Sequence, residues 1–195
     1  LKIVISADDK LQDGQPHSNA LGNHLGIWDF YIIKNSKNNS LKVYYQHFFE
    51  DTSGLRFANR IDGLWGFEFI NQVSKTNYLI EYLNTSNQDR DPPYVNDAYY
   101  NHFEYSLGWS YNGRVIGNPF INNLNPNPLE VIHLGMKTFK EDKLQLKILL
   151  SRRIDISDYI KYSVNVGRKF DKIFLQIFLN GEKEKNLGFK LIYDI

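Results

Sequence analysis

The side chains best equipped to hold a ligand lie in one run, SLGWSYNGRVIGNPF, residues 106–120. Trp109 and Tyr111 offer flat faces, Arg114 a planar fork of donors, and the glycines permit positive φ and close backbone approach. Asn101, His102 and Asn112 add amide and imidazole groups nearby. The mixture matches no familiar catalytic signature and suits a surface that binds something. Glu68 and Glu81, on polar faces of neighbouring predicted strands, could mimic the acid pair of a glycosidase, but inward carboxylates are also common in a barrel lumen. The histidines, His17, His24, His47, His102 and His133, show neither HxxxH nor HxH spacing, so no metal site is expected. SADDKLQDGQ, residues 6–15, lacks the full alternation and terminal Glu of a calcium loop and reads as a solvated loop. With no Gly-rich phosphate loop, no GxSxG and no cysteine, the sequence points to no cofactor and no thiolate chemistry.

The elements that must position these residues are strands. The chain has 195 residues, enough for one domain with a sizeable core, and a formal charge of only +1, which offers no global field for nucleic acid. Aromatics make up 15% of it, with 13 Tyr and 13 Phe against one Met, which favours β structure with many turns. No run of about 18 apolar residues is present for a spanning helix. Nor does a basic-then-apolar leader precede Leu1, and since the chain begins at Leu instead of Met it reads as a processed or shortened chain.

Period two recurs along it. Leu144, Leu146, Ile148 and Leu150 alternate with polar residues except at Leu149; Ile160, Tyr162, Val164 and Val166 repeat the pattern, as do Ile173, Leu175, Ile177 and Leu179. Leu41, Val43 and Tyr45, then Trp65, Phe67 and Phe69, then Tyr78, Ile80 and Tyr82 predict earlier strands. A strand over 21–34 is predicted with Asp29 interrupting its apolar face, where a bulge would restore register. Nine strands follow Leu21, and LKIVIS at the start would make a tenth. Short polar turns are expected at 35–40, 71–76, 140–143 and 168–171, alternating with generally longer links at 50–62, 84–128, 152–158 and 180–186. That asymmetry fits an antiparallel up-and-down transmembrane β-barrel with short periplasmic turns and long outer loops, and places the 86–128 loop outside or as a plug. Leu187, Phe189, Leu191, Tyr193 and Ile195 resemble the C-terminal signal read by the outer-membrane assembly machinery, although Ile195 stands where an aromatic is usual. A soluble β-sandwich would alternate in the same way.

LGNHLG (21–26), RIDGLWGFEF (60–69), EYLNTSNQ (81–88), DAYYNH (97–102) and GWSYNGRVIGNP (108–119) together resemble the capsule-assembly Wzi family in its Bacteroidetes form. The resemblance implies a bacterial outer-membrane β-barrel, non-enzymatic, concerned with attachment or organisation of capsular polysaccharide. Residues 1–195 would then be one barrel segment, roughly the C-terminal half of a larger barrel. Outer-membrane lipids, surface polysaccharide and the assembly machinery are its expected partners, with no nucleic acid. On that footing Trp109, Tyr111, Arg114, Asn101, His102 and Asn112 become candidate glycan contacts, since sugar rings stack on aromatic faces and hydroxyls or uronates take bonds from amides and arginine. Two other readings stay open: Trp109 and Tyr111 as an interfacial girdle, and Arg114 in a plug paired to Glu68 or Glu81. A β-sandwich lectin or adhesin, or a carbohydrate-active enzyme, are the alternatives by function class.

Overall fold

The computed structural model describes residues 26–49, 54, 57–87, 99, 110–111, 114–115, 120–121, 127–140, 144–157, 159–182 and 184–193. Eleven strands are present among them: β1 (Gly26–Asn35), β2 (Asn39–Phe49), β3 (Gly63–Asn71), β4 (Thr76–Asn84), β5 (Ser110–Tyr111), β6 (Arg114–Val115), β7 (Glu130–Lys140), β8 (Leu144–Arg153), β9 (Ile160–Phe170), β10 (Ile173–Gly181) and β11 (Lys185–Tyr193). Nine form one antiparallel meander in the order β1-β2-β3-β4-β7-β8-β9-β10-β11, and β5 pairs with β6 in a separate two-stranded ribbon. The nine-strand expectation is met in number and order; the proposed opening strand and Ile195 lie outside the described residues.

Cross-strand register turns the period-two pattern into two chemically distinct faces. Thr138, Leu146, Val166, Ile177 and Phe189 follow one another from strand to strand, as do Met136, Ile148, Val164, Leu179 and Leu187. Because side chains alternate across a strand, the intervening rows carry the polar set, with one phenylalanine in each: Lys137, Lys147, Asn165, Phe178 and Gly188 in one row, and Phe139, Gln145, Gly167, Gln176 and Lys190 in the next. The apolar rows stay uncovered, Phe189 being 79% exposed and Ile177 50%. Leu149, the exception to the pattern, falls on the polar face and packs with Leu79 around Gly135, where a glycine leaves them space.

Three local expectations change. Asp29 needs no bulge: Trp28 stacks near Phe49 and Phe30 on Tyr45, so an unbroken β1 puts Asp29 on the opposite face. The turn expected over 168–171 is shifted, because β9 runs to Phe170 and Asp171 supplies the left-handed corner at φ 51°. Alternation also carries β10 to Gly181, opposite Lys185, leaving only residues 182–184 as a link. Long connections are therefore confined to 50–62 and 85–129, with a moderate one over 154–159.

Aromatic rings lie flat over strand glycines, Tyr44 over Gly66 and Phe178 over Gly188. Tyr44 is held there because its hydroxyl donates to Glu81. Gly66→Ala would push a methyl into that fixed ring, and an expected loss of about 1–3 kcal/mol should be read as a lower heat-denaturation midpoint of the assembled protein.

The described residues group into two compact units, one drawn from 26–29, 46–63 and 84–129, the other from 30–45, 64–83 and 130–195. The first holds most of the buried apolar side chains, Phe48, Phe49, Tyr99, Val115, Ile121 and Leu129, whereas in the second Leu83 and Val131 are the buried ones. Buried apolar side chains thus come equally from strands of the nine-stranded sheet (Phe48, Phe49, Leu83 and Val131) and from the connecting segments (Tyr99, Val115, Ile121 and Leu129).

Candidate functional site

Within the unit of connecting segments, buried polar groups converge on one carboxylate. Asp62 has no exposed surface. Its Oδ2 accepts a bond from the Tyr99 hydroxyl at 2.7 Å and its Oδ1 one from the Asn87 amide at 2.7 Å. Asn59 donates to the Tyr99 hydroxyl and to the Phe48 carbonyl, the latter at 3.3 Å. The His47 ring stacks on Phe57, with Nε2 2.8 Å from the Gly54 carbonyl and Nδ1 3.4 Å from the Asp62 carbonyl. Burial pushes the Asp62 carboxyl up to about 6, against the opposing pull of the Tyr99 hydroxyl, the Asn87 amide and the His47 charge. Gly63, at φ 134°, lets the chain turn from this carboxylate straight into β3.

The participants come from segments far apart in sequence. Asp62 belongs to RIDG, Asn87 to EYLNTSNQ and Tyr99 to DAYYNH, so three of the spaced motifs meet in one hydrogen-bonded cluster. Nearby in sequence, Asn84 Oδ1 accepts from the Ser86 amide and hydroxyl, and Thr85 pairs with Leu129 through backbone and hydroxyl, closing the base of the 85–129 connection. A buried acid whose oxygens are both bonded organises its surroundings more than it attacks a substrate. The cluster is a platform that ties down the long connection.

On that connection β5 and β6 pair Ser110 with Val115 and Tyr111 with Arg114, which puts an Asn112-Gly113 sequence between them, the strongest short-range hairpin signal and one that the reading of an irregular loop overlooked. Val115 is buried while Tyr111 is 73% exposed. One end of the ribbon is thus rooted and an aromatic face is offered to solvent. Among the other candidate glycan contacts, Trp109, Asn101, His102, Asn112 and the Arg114 side chain lie outside the described residues.

The sheet unit holds the remaining candidates. Glu81 on β4 takes its bond from Tyr44, and Glu68 on β3 is half-buried; among the described residues no hydrogen bond joins the two carboxylates. Ser151 Oγ lies 2.7 Å from His133 Nδ1, and Glu81 acts on His133 electrostatically, a Ser-His-Glu succession across β8, β7 and β4. Ser151 is only 3% exposed, so its oxygen has no approach for a substrate, and the trio serves as a cross-strand brace. A similar brace links two connections of this unit. Arg153 bonds Asp155, which also accepts from the Glu130 amide, and the Tyr159 hydroxyl donates to Glu182. Burial and the Glu182 charge push the Tyr159 phenol up to about 12; burial would raise Asp155, but the Arg153 and Glu130 bonds outweigh it and hold that carboxyl below its ordinary range. No group of three or more metal-ligating side chains occurs among the described residues.

The sequence model of the family described as Capsule assembly protein Wzi matches residues 1–133. That span contains the whole Asp62 cluster and the β5–β6 ribbon. No curated protein and no solved structure matches the chain.

Proposed function

The chain belongs to the Wzi family of capsule assembly proteins, an outer-membrane β-barrel family, and on that premise we propose that it holds surface polysaccharide by non-catalytic contact through the hairpin of the long connection. In this reading the apolar rows face outer-membrane lipid and the polar rows line the lumen. The long connections at 50–62 and 85–129 stand on the cell exterior, and β11, with Leu187, Phe189, Leu191 and Tyr193 on its apolar face, presents the pattern read by the assembly machinery.

The observation that carries the proposal is the ribbon itself: a buried Val115 fixes it and an exposed Tyr111 is left as a stacking face beside Arg114 in register. An exposed aromatic costs solvation unless it meets a flat partner, and a pyranose ring is such a partner. Each lost contact would remove on the order of 1 kcal/mol, which many repeats along a polymer amplify.

Replacing Trp109, Tyr111 and Arg114 together by Ala in the full-length protein should shift polysaccharide from the cell-bound to the released fraction while the protein keeps its heat-modifiable, surface-exposed form. Unchanged retention by a well-assembled triple variant would remove the hairpin from the proposal.

A further inference from the structure

On the polar face of the sheet, Lys137 of β7 and Lys147 of β8 stand directly opposite one another. Like charges in that position repel across the pair, so a chain that keeps both gains nothing in folding from the arrangement. The next position along the row is Asn165, and the adjacent row places Gln145 and Gln176 on either side of Gly167. Together with Phe139, over whose ring the Lys137 ammonium sits at 4.5 Å, these residues line a hollow of about 190 Å³. Among the described residues neither Lys137 nor Lys147 forms an ion pair; of the acids on this face Glu81 is engaged by Tyr44 and Glu182 by Tyr159 and Lys161, while Glu68 on β3 forms no ion pair with either lysine.

We infer that this hollow is a second saccharide site, selective for a carboxylate-bearing sugar such as a uronate. The two ammonium groups answer a carboxylate in a way that no neutral sugar can use. Gln145 and Gln176 offer both donors and acceptors to ring hydroxyls, Asn165 keeps its amide oxygen and one N–H while the other N–H goes to Ser163 Oγ at 3.0 Å, and the Phe139 edge supplies an apolar wall. The site lies on the sheet, in residues 130–195, and uses none of the hairpin residues; it shares with the functional proposal only the premise that this protein handles polysaccharide.

Binding of a defined oligogalacturonate to the purified full-length protein in detergent tests it, with a maltooligosaccharide of equal length as the neutral control. The acidic probe should bind, weaken steeply as salt is raised, and lose affinity about tenfold or more in the Lys137→Gln, Lys147→Gln double variant, the fold-change expected when one charge-assisted hydrogen bond is lost. The Tyr111→Ala, Arg114→Ala variant should keep that salt-sensitive component, which separates failure of this site from failure of the hairpin. Should the lysine variant fail to assemble, acetylation of the wild-type protein supplies the same test, since bound oligogalacturonate must slow modification of Lys137 and Lys147. Equal binding of the neutral probe, undiminished affinity in an assembled double variant, or unprotected lysines would overturn the inference.

Discussion

Ile177→Arg is expected to destabilise the assembled protein by about 2–4 kcal/mol, the cost of placing a guanidinium on the lipid face near the bilayer midplane. Ile177 sits at the middle of β10, flanked in register by Val166 and Phe189, with Val164, Leu179 and Leu187 in the row on one side and Leu175 and Leu191, in line with Arg168, in the row on the other. Among the described residues these rows hold no acidic side chain to neutralise a charge. Gln176→Arg, one residue away and facing Gly167 and Lys190, puts the same group on the polar face and should cost well under half as much. Urea titration of the two variants in lipid vesicles measures the difference. Equal costs at 176 and 177 would mean that the two faces do not see different solvents.

Asp62→Ala is the second large effect, expected at about 3 kcal/mol against the unit of connecting segments, since the Tyr99 hydroxyl and the Asn87 amide would each lose their buried acceptor. Sheet unfolding should move less than local opening, so amide exchange over 84–129 is the proper readout. The wild type carries a pH signature of its own. A carboxyl held near 6 in the folded unit and near 3.8 when unfolded binds its proton more tightly in the folded form. The associated stability is fully present below the unfolded value and is lost as pH rises through about 6, so protection should fall between pH 5 and pH 8 by about tenfold, or about 1.4 kcal/mol. Asp62→Asn should flatten that dependence.

Strand number and facing were legible because alternation is a local signal: Leu146, Ile148, Val164, Val166 and Ile177 announce their face without knowledge of a neighbour. Ends of strands were less so. Gly181 and Lys185 continue a ladder only because each meets the other across the hairpin, and nothing in either residue type says this. Asp29 interrupts an apolar run in the sequence, and only the contacts of Trp28 with Phe49 and of Phe30 with Tyr45 show that it lies on the other face.

The platform was legible in part. RIDG, EYLNTSNQ and DAYYNH stood out as motifs, yet Asp62, Asn87 and Tyr99 were not singled out within them, since hydrogen bonding between residues dozens of positions apart leaves no periodic trace. His47 and Asn59 carried no signal at all: a histidine on a strand and an asparagine in a turn are ordinary until they are buried together. The Asn112-Gly113 pair was a signal present and passed over. Pairing of Lys137 with Lys147 likewise required the register between β7 and β8 before their repulsion could be seen.

Because these 195 residues hold no cysteine, a Tyr111→Cys substitution in the full-length protein, with the unsubstituted protein as the labelling background, probes where the hairpin lies and what touches it. The measurement is the rate of labelling by a membrane-impermeant maleimide on intact cells, with their polysaccharide in place and after its removal. The account predicts ready labelling of stripped intact cells and slower labelling of cells that carry their polysaccharide; labelling that requires permeabilised membranes, or one rate in both states, would contradict it.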